Sequence, residues 1–436
     1  MNALVAAAPH RRGACPGLSA PMPTGDGLLV RLKPVGTMSI AAFRGLCAAA
    51  RRHGNGVIEV TARGSIQVRG LSAASAPRFA DAIASFDIAA EDNIPVITNA
   101  LAGLDPGEII DAGALAAELG RALGQTSLPR RLAPKVSVAI DGGGALDLDT
   151  LSADVRLSGK LLSGAVALSI SVGGDRASAT QLGTITPSDC IDTSLRLLEV
   201  IARRGREARA RDVLAAEGIE PFRESVRALL LNSARPRERA GLEPDSRLRG
   251  NERKVAIGLH SLRDGSCARG VSLAFGHAEA ATLELLADAA EDVGAHGIRT
   301  APGRALIAIG LTREAATAFA AAAERLGFIV RADDPRRHVI ACAGAPICAS
   351  AQIASRAMAP RIAEIAARSL DDSFEIHVSG CAKGCAHPTP AAVTLVGTPD
   401  GCALVANGTA RDVPSETVLP ADVPAAIARY VEARHV

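Results

Sequence analysis

Aromatic side chains are scarce in this sequence. Its 436 residues include no tryptophan, one tyrosine and eight phenylalanines, which disfavours binding of nucleic acid through stacked aromatic rings. An excess of one charge sign is also lacking, because 48 basic and 46 acidic residues leave a net charge of +2. General attraction to nucleic acid or to an acidic membrane is therefore not expected, and any basic site must be local.

Long apolar runs are missing too. No segment approaches the ~20 residues needed to span a bilayer. The apolar stretch at residues 4–8 is too short for a signal-peptide core, and arginines follow it instead of preceding it. We expect a soluble, cytoplasmic protein. Its length and its 48% hydrophobic content predict two or three domains with ordinary cores.

Cysteines carry more information than any other residue type here. The count of nine is odd, and in a reducing compartment closely spaced cysteines are more often ligands or redox groups than disulfides. Five are scattered, and we interpret them as small buried hydrophobic residues: Cys15, Cys47, Cys190, Cys267 and Cys402. The remaining four form two close pairs.

The two pairs suit an iron–sulfur cluster. Cys342 and Cys348 are separated by five residues, and Cys381 and Cys385 by three. Two loops at the ends of neighbouring elements can each deliver two thiolates to a 4Fe–4S cluster. Zinc motifs prefer separations of two to four within each pair, so we favour the cluster over zinc or disulfides. His387 is either a further ligand or proton donor, or a structural loop residue.

The order of predicted elements occurs twice. A strand, a helix and a strand pair are expected at 27–32, 40–52, 57–60 and 65–69, and again at 270–275, 279–291, 297–300 and 304–309. Each copy ends in Gly-Leu and is followed by a helix and a strand, at 106–123 and 135–141 and then at 349–367 and 374–380. The sequence therefore predicts an α+β fold with an A-B-A′-B′ duplication.

Basic residues near these elements are candidates for binding acidic groups, since guanidinium groups offer forked donors to carboxylates. Lys383 lies between two candidate ligands, where a cation compensates cluster charge or holds an acidic substrate. Each could instead be an ordinary solvated surface residue. The candidates are Arg63, Arg69, Lys135 and Lys383, with Arg299 and Arg304 as weaker ones from the second copy.

The cysteine spacing, the Thr61-Ala62-Arg63 strand and the duplication resemble the sulfite/nitrite reductase haemoprotein superfamily. A more specific likeness is to the precorrin-3B synthases of aerobic cobalamin biosynthesis. It is carried by residues 14–18, 23–31, 53–56, 101–106 and 379–388.

The resemblance implies both fold and chemistry. Ferredoxin-like half-domains are expected at 1–90, which includes an N-terminal extension, and at 254–330. Reductase-like halves are expected at 91–231 and at 331–436, of which the second binds the cluster. A linker is expected at 232–253. It further implies a 4Fe–4S cluster on the four paired cysteines and hydroxylation of precorrin-3A at C20 by dioxygen, with γ-lactone formation. A separate non-haem iron is also implied, with ligands that the sequence does not place. No flavin or dinucleotide fingerprint is apparent, so NADH is expected to act through a separate reductase.

Two departures from the reductase pattern separate the activities. This chain has Lys135-Val136-Ser137 where the reductases carry Lys-x-Lys, and Gly64 where they carry glutamine after Thr-x-Arg. Losing a lysine weakens the case for trapping a small inorganic anion. We favour the synthase activity over a sirohaem-dependent sulfite or nitrite reductase. A non-catalytic iron–sulfur protein and a zinc-stabilised binding module stay open as two further hypotheses.

Overall fold

The computed structural model describes residues 16–86, 88, 94–231, 255–367, 374–387 and 389–432. Cys15 and the predicted linker at 232–253 lie outside the described residues. The chain forms two compact units, one of residues 1–16 and 91–254 and one of residues 17–90 and 255–436. The predicted division into five segments stays a prediction.

The first copy of the repeat forms as predicted. Ser39 begins its long helix by accepting a hydrogen bond from the Ala42 N–H, and the helix ends at Gly54. Three basic residues in the last turn suit the negative end of the helix dipole. The elements are β1 (Met22–Thr24), β2 (Gly27–Leu32), α1 (Ile40–His53), β3 (Val57–Val60), β4 (Ile66–Leu71) and α2 (Ser75–Ser85).

The following segment builds the smaller unit around a five-stranded sheet. Its order is β5-β6-β7-β8-β9, with the first three strands parallel and the last two antiparallel. The elements are β5 (Val96–Thr98), α3 (Ala112–Gly124), α4 (Leu128–Arg131), β6 (Val138–Asp141), β7 (Ala153–Leu162), β8 (Ala165–Gly174), β9 (Thr180–Ile185), α5 (Cys190–Arg203), α6 (Ala210–Glu217) and α7 (Glu220–Val226).

Two predicted boundaries in this unit differ from the structure. The helix expected from residue 106 begins at Ala112, because Asp111 caps it by accepting from the Ala114 N–H. The strand expected from Lys135 begins at Val138, and Lys135 lies in the preceding turn.

The second copy of the repeat packs against the first within the larger unit. Its strand β12 pairs antiparallel with β3 and extends the first sheet to the order β1-β2-β4-β3-β12. The second sheet has the order β10-β11-β14-β13. Phe43, Phe79, Leu283 and Phe319 lie in one continuous core. The elements are β10 (Gly258–Ser261), β11 (Cys267–Ser272), β12 (His277–Glu279), α8 (Ala280–Asp292), β13 (Gly297–Ala301), β14 (Ala305–Leu311) and α9 (Arg313–Arg325).

The last segment repeats the topology of the smaller unit. Its sheet order is β15-β16-β17-β18-β19, again with three parallel strands followed by two antiparallel ones. This confirms the predicted duplication. The elements are β15 (Val339–Ala341), α10 (Ser355–Ala366), β16 (Ile376–Ser379), β17 (Ala391–Thr398), β18 (Gly401–Gly408), β19 (Glu416–Val418) and α11 (Val423–Glu432).

The scattered cysteines that the structure describes are buried, as interpreted from the sequence: Cys47, Cys190, Cys267 and Cys402. Burial raises the pKa of the Cys190 thiol to about 12, so this thiol is inert in the core. Among the described helices, none combines the length and the apolar character required to cross a lipid bilayer.

Candidate metal centre

The first cysteine pair lies in the loop between β15 and α10. Cys342 directly follows β15, and its N–H donates to the Val378 carbonyl of β16 at 3.1 Å. The N–H of Cys348 donates to the Gly344 carbonyl at 2.8 Å. Gly344 has a φ of +69°, and a Cβ there would overlap the Ser355 backbone nitrogen. The turn between the two cysteines therefore requires glycine.

The second pair lies in the loop after β16. Ser379 ends the strand and donates its hydroxyl to the Cys381 carbonyl at 2.7 Å. The Gly384 N–H points to the same carbonyl at 3.4 Å. Gly384 has a φ of +61°, in the left-handed region that favours glycine. These contacts fold residues 381–385 into a compact turn.

The two loops meet because β15 and β16 are neighbouring parallel strands, whose carboxyl ends share one edge of the sheet. The Gly380 N–H donates to Cys342 Sγ at 3.0 Å, and its carbonyl accepts from the Gln352 N–H at 2.7 Å. A Cβ at Gly380 would lie 2.6 Å from the Ala351 Cβ and 3.3 Å from the Gly344 Cα. The loops thus pack backbone to backbone.

The four thiols influence one another electrostatically. All four are free thiols. Partial burial raises the pKa of Cys385, and the charges of Cys381, Cys342 and Cys348 raise it further. Lys383 lowers that pKa. Four cysteine side chains that lie close enough to influence Cys385, together with one basic group, offer a donor set for a cationic metal centre.

Four thiols on two adjoining loops are the type of donor that an iron–sulfur cluster takes. No group of three or more His, Cys, Asp or Glu side chains among the described residues is arranged to hold one metal ion. Thiolates that bind a four-iron cube lie around it, so they need not converge on a single point. Glycines at the junction of the loops let the two backbones approach each other closely.

Arg69, predicted to contact substrate, is buried among protein groups. Its side chain is 8% exposed and lies 3.4 Å from Asp26 and 3.7 Å from Glu59. It also donates to the Ile347 carbonyl, inside the first cysteine loop, at 3.4 Å. The structure therefore brings Arg69 to the candidate centre, with its cation already paired.

The other three predicted substrate contacts are exposed. Lys383 Nζ donates to the Ser350 hydroxyl at 2.8 Å and links the two cysteine loops. Arg63 lies in the turn between β3 and β4 of the same unit. Lys135 belongs to the other unit. The structure thus brings Arg69 and Lys383 to the cysteine loops.

The two weaker candidates from the second copy have different environments. Arg299 Nε donates to the Thr37 hydroxyl at 2.6 Å. Arg304 has a φ of +61°, and a Cβ at Gly276 would lie 2.7 Å from its Cδ. Burial lowers the pKa of Arg304, while the charge of Glu375 acts in the opposite direction. Both arginines have structural surroundings that sequence alone did not indicate.

Known proteins share this architecture. Residues 20–86 match the model of the nitrite/sulfite reductase ferredoxin-like half domain. A precorrin-3B synthase from a Sinorhizobium species is 41% identical over 407 residues, which cover 93% of this chain and 85% of that protein. The chain belongs to the precorrin-3B synthase family.

Reductases are more distant relatives of this member of the precorrin-3B synthase family. A ferredoxin–nitrite reductase of Synechococcus elongatus is 26% identical over 399 residues, covering 85% of this chain and 76% of that protein. The solved structure of the Mycobacterium tuberculosis NirA protein has a TM-score of 0.75 at 20% identity, covering 92% of this chain and 80% of that one. This likeness confirms the predicted fold.

In this member of the precorrin-3B synthase family, the local structure requires the glycine that departs from the reductase pattern. Gly64 has a φ of +77°, and a Cβ there would lie 2.9 Å from the Ala301 backbone carbon. The Gly303 N–H also donates to the Ala62 carbonyl at 3.0 Å. The hairpin turns of the two copies therefore meet where a glutamine would not fit.

His377 is a feature of the site that sequence analysis missed. Its side chain is fully buried on β16, and neither ring nitrogen has a hydrogen-bond partner in the described structure. Burial lowers the pKa of His377 to about 4, helped by His387 and Arg304. The ring centroids of the two histidines are 5.7 Å apart. The available signal was a polar residue within an apolar strand.

His387 lies between the second cysteine loop and β17. Its Nε2 is 2.9 Å from the Thr389 hydroxyl and 3.5 Å from a Glu375 carboxylate oxygen. These contacts fit the structural loop role that the sequence left open beside a ligand role.

The segment at residues 101–106, one of those that carry the family resemblance, stabilises a loop in the smaller unit. Asp105 is 5% exposed and accepts from the N–H groups of Gly107 and Ala145 at 2.8 and 2.5 Å. A buried carboxylate with backbone donors fixes the loop geometry. Residues 101–106 thus have a structural role in this unit.

Proposed function

We propose that this chain is a precorrin-3B synthase, a monooxygenase that hydroxylates precorrin-3A at C20 with dioxygen and forms a γ-lactone in cobalamin biosynthesis. One observation carries the proposal. Two cysteine loops meet at one sheet edge, in a chain 41% identical to a precorrin-3B synthase over 93% of its length.

Cys342, Cys348, Cys381 and Cys385 would hold the 4Fe–4S cluster, which supplies one-electron transfer that side chains cannot provide. Two of the chain's own groups would offset negative charge on a bound cluster. The Gly380 N–H donates to Cys342 Sγ, and the Lys383 cation acts against the burial and the neighbouring cysteines that raise the pKa of Cys385.

The basic residues would bind the acetate and propionate arms of the substrate. Arg63, Lys135 and Lys383 are exposed, so a large acidic ligand can reach them without disturbing the core. Arg69 is proposed as a fourth contact, although its pairing with Asp26 has to loosen before it binds an arm.

Electron supply is the second part of the proposal. We propose that NADH reduces the chain through a separate reductase protein in the cytoplasm. A mononuclear non-haem iron is expected from the family resemblance. The described residues contain no three-ligand group for a single ion, so no step is assigned to that iron.

A sirohaem-dependent sulfite or nitrite reductase is the second candidate function. The 26% identity with a nitrite reductase favours it. It stands second because the identity is lower and because Gly64 of this chain packs against the Ala301 backbone, where a larger side chain would clash.

Anaerobic purification followed by iron and sulfide analysis, then addition of precorrin-3A, a reductant and dioxygen, tests the proposal. Mass spectrometry should show a gain of one oxygen atom by the precorrin. Cys381→Ser should lose this activity and the cluster, whereas the matched control Cys267→Ala, which removes a buried thiol outside both loops, should keep both.

Different results would point to different proteins. Sulfide release from sulfite with no change in the precorrin would favour the reductase. A cluster without affinity for tetrapyrroles would indicate an electron-transfer protein. A colourless zinc protein would contradict the cluster assignment.

A further inference from the structure

Arg69 links the first ferredoxin-like copy to the first cysteine loop. It extends from β4, and its guanidinium is 3.4 Å from Asp26 in the turn between β1 and β2. The same group donates to the Ile347 carbonyl at 3.4 Å. Ile347 immediately precedes Cys348, so a single buried cation contacts both the turn and the peptide leading into a candidate cluster ligand.

The turn itself presses against this loop. A Cβ at Gly25 would lie 2.5 Å from the Ala349 nitrogen and 3.0 Å from the Cys348 carbonyl carbon and the Ile347 oxygen. The backbones of the turn and the loop are therefore in direct contact on both sides of the Cys348 peptide. From the first copy, Gly25 thus approaches residues 347–349, and Arg69 contacts the first of them.

Charges alternate along this contact. Glu59 on β3 is 3.7 Å from Arg69 and also pairs with Arg356 in the first turn of α10. The preceding residue, Ser355, is 3.5 Å from Cys342 Sγ. Side-chain exposures along Asp26, Arg69, Glu59 and Arg356 are 16%, 8%, 13% and 12%.

The chain of ion pairs is costly to interrupt, because removing one partner leaves a buried charge without compensation. Asp26 keeps two further donors, Thr24 Oγ1 at 2.8 Å and Asn55 Nδ2 at 2.9 Å. These contacts hold the turn around Asp26 in place. Arg69 connects that turn to the Ile347 carbonyl.

We propose that Arg69 is a positioning residue for the cluster, which holds the Cys348 loop against the β1–β2 turn and thereby sets the place of one thiolate. This inference rests on the proposed function, since it assumes a cluster on the four cysteines. The buried geometry assigns Arg69 this role in addition to the substrate contact proposed above, which would require its pair with Asp26 to loosen.

The test compares Arg69→Met and the double variant Asp26→Asn/Arg69→Met with the unaltered chain. Arg44→Met is the matched control, because Arg44 makes ion pairs to Asp288 and Glu291 away from the cysteine loops. The readouts are the rate of iron loss under air, the midpoint potential of the cluster and the thermal midpoint of unfolding.

Arg69→Met should lose iron about tenfold faster than the unaltered chain, as is typical when outer partners of a metal site are removed, and its cluster potential should shift. The double variant should regain thermal stability, since Asp26 is no longer charged, but should still lose iron quickly. The Arg44→Met variant should match the unaltered cluster lifetime and potential.

Equal cluster lifetime and potential in Arg69→Met and Arg44→Met would overturn the inference. Full recovery of the cluster in the double variant would also overturn it, because the effect would then be one of stability alone. The variant Cys348→Ser distinguishes failure of this inference from failure of the proposed function. If that variant keeps an intact four-iron cluster, or if the unaltered chain purifies without iron and sulfide, the proposed function fails, and this inference fails with it.

Discussion

Replacing Gly380 by alanine tests whether the two cysteine loops must pack backbone to backbone. The new methyl group would lie 2.6 Å from the Ala351 Cβ, about 1 Å short of the ~3.5–4.0 Å at which carbon atoms pack well. Overpacking of this kind costs about 1–3 kcal/mol. Since the Gly380 N–H also donates to Cys342 Sγ, separating the loops should displace a ligand as well as lower stability.

The assay is iron and acid-labile sulfide per chain after anaerobic purification, together with the free energy of unfolding in urea. Gly380→Ala should retain less cluster than the unaltered chain. The double variant Gly380→Ala/Ala351→Gly removes the clashing methyl group and should recover cluster content. Gly107→Ala, where the nearest atom to a new Cβ is at 3.4 Å, is the control. Full cluster content in Gly380→Ala would refute this account of the junction.

Three further substitutions test other parts of the fold. Gly64→Gln should lower the unfolding free energy by about 1–2 kcal/mol or more, because the backbone at this position has a positive φ and a side chain there would contact Ala301. Unchanged urea unfolding would contradict this. His377 stays neutral in the native state down to about pH 4, whereas its ordinary pKa is 6.5. Between these two pH values the unfolded chain therefore binds a proton that native His377 does not bind. The free energy of unfolding should fall by at most about 3 kcal/mol as the pH drops from 6.5 to about 4. Urea unfolding at several pH values should show a weaker pH dependence for His377→Leu. Asp154→Ala should cost about 3–5 kcal/mol because it leaves Arg209, 2.7 Å from the carboxylate, without its partner; a loss under about 1 kcal/mol in thermal unfolding would show that the pair is dispensable.

Periodic patterns predicted the repeated elements well because alternation and helical spacing reflect local geometry. The helix at residues 40–52 and the strand at 27–32 are confirmed almost to the residue. Helix boundaries that depend on a single capping side chain were harder to predict. Asp111 starts a helix six residues later than apolar spacing suggested, because a side-chain acceptor satisfies the first N–H groups only at that point.

The cysteine spacing predicted that two loops would meet, and the structure brings them to one sheet edge. The ligand assignment itself stays a prediction. Side-chain partners across the chain were beyond prediction. Arg69 and Ile347 are 278 positions apart, and no local pattern tells a buried paired arginine from an exposed one. His377 was overlooked for a similar reason, since its isolation depends on everything packed around β16.

The strand β12 belongs to the second copy, yet it completes the sheet of the first. During synthesis the first copy leaves the ribosome well before residue 277 is made. The intervening unit at 91–254 is also complete before residue 277 is made. Domains generally fold as units as they emerge. The inserted unit is therefore expected to fold first, while the N-terminal strands wait with one edge unfilled. A nascent chain stalled before β12 should expose that edge to chaperones and proteases.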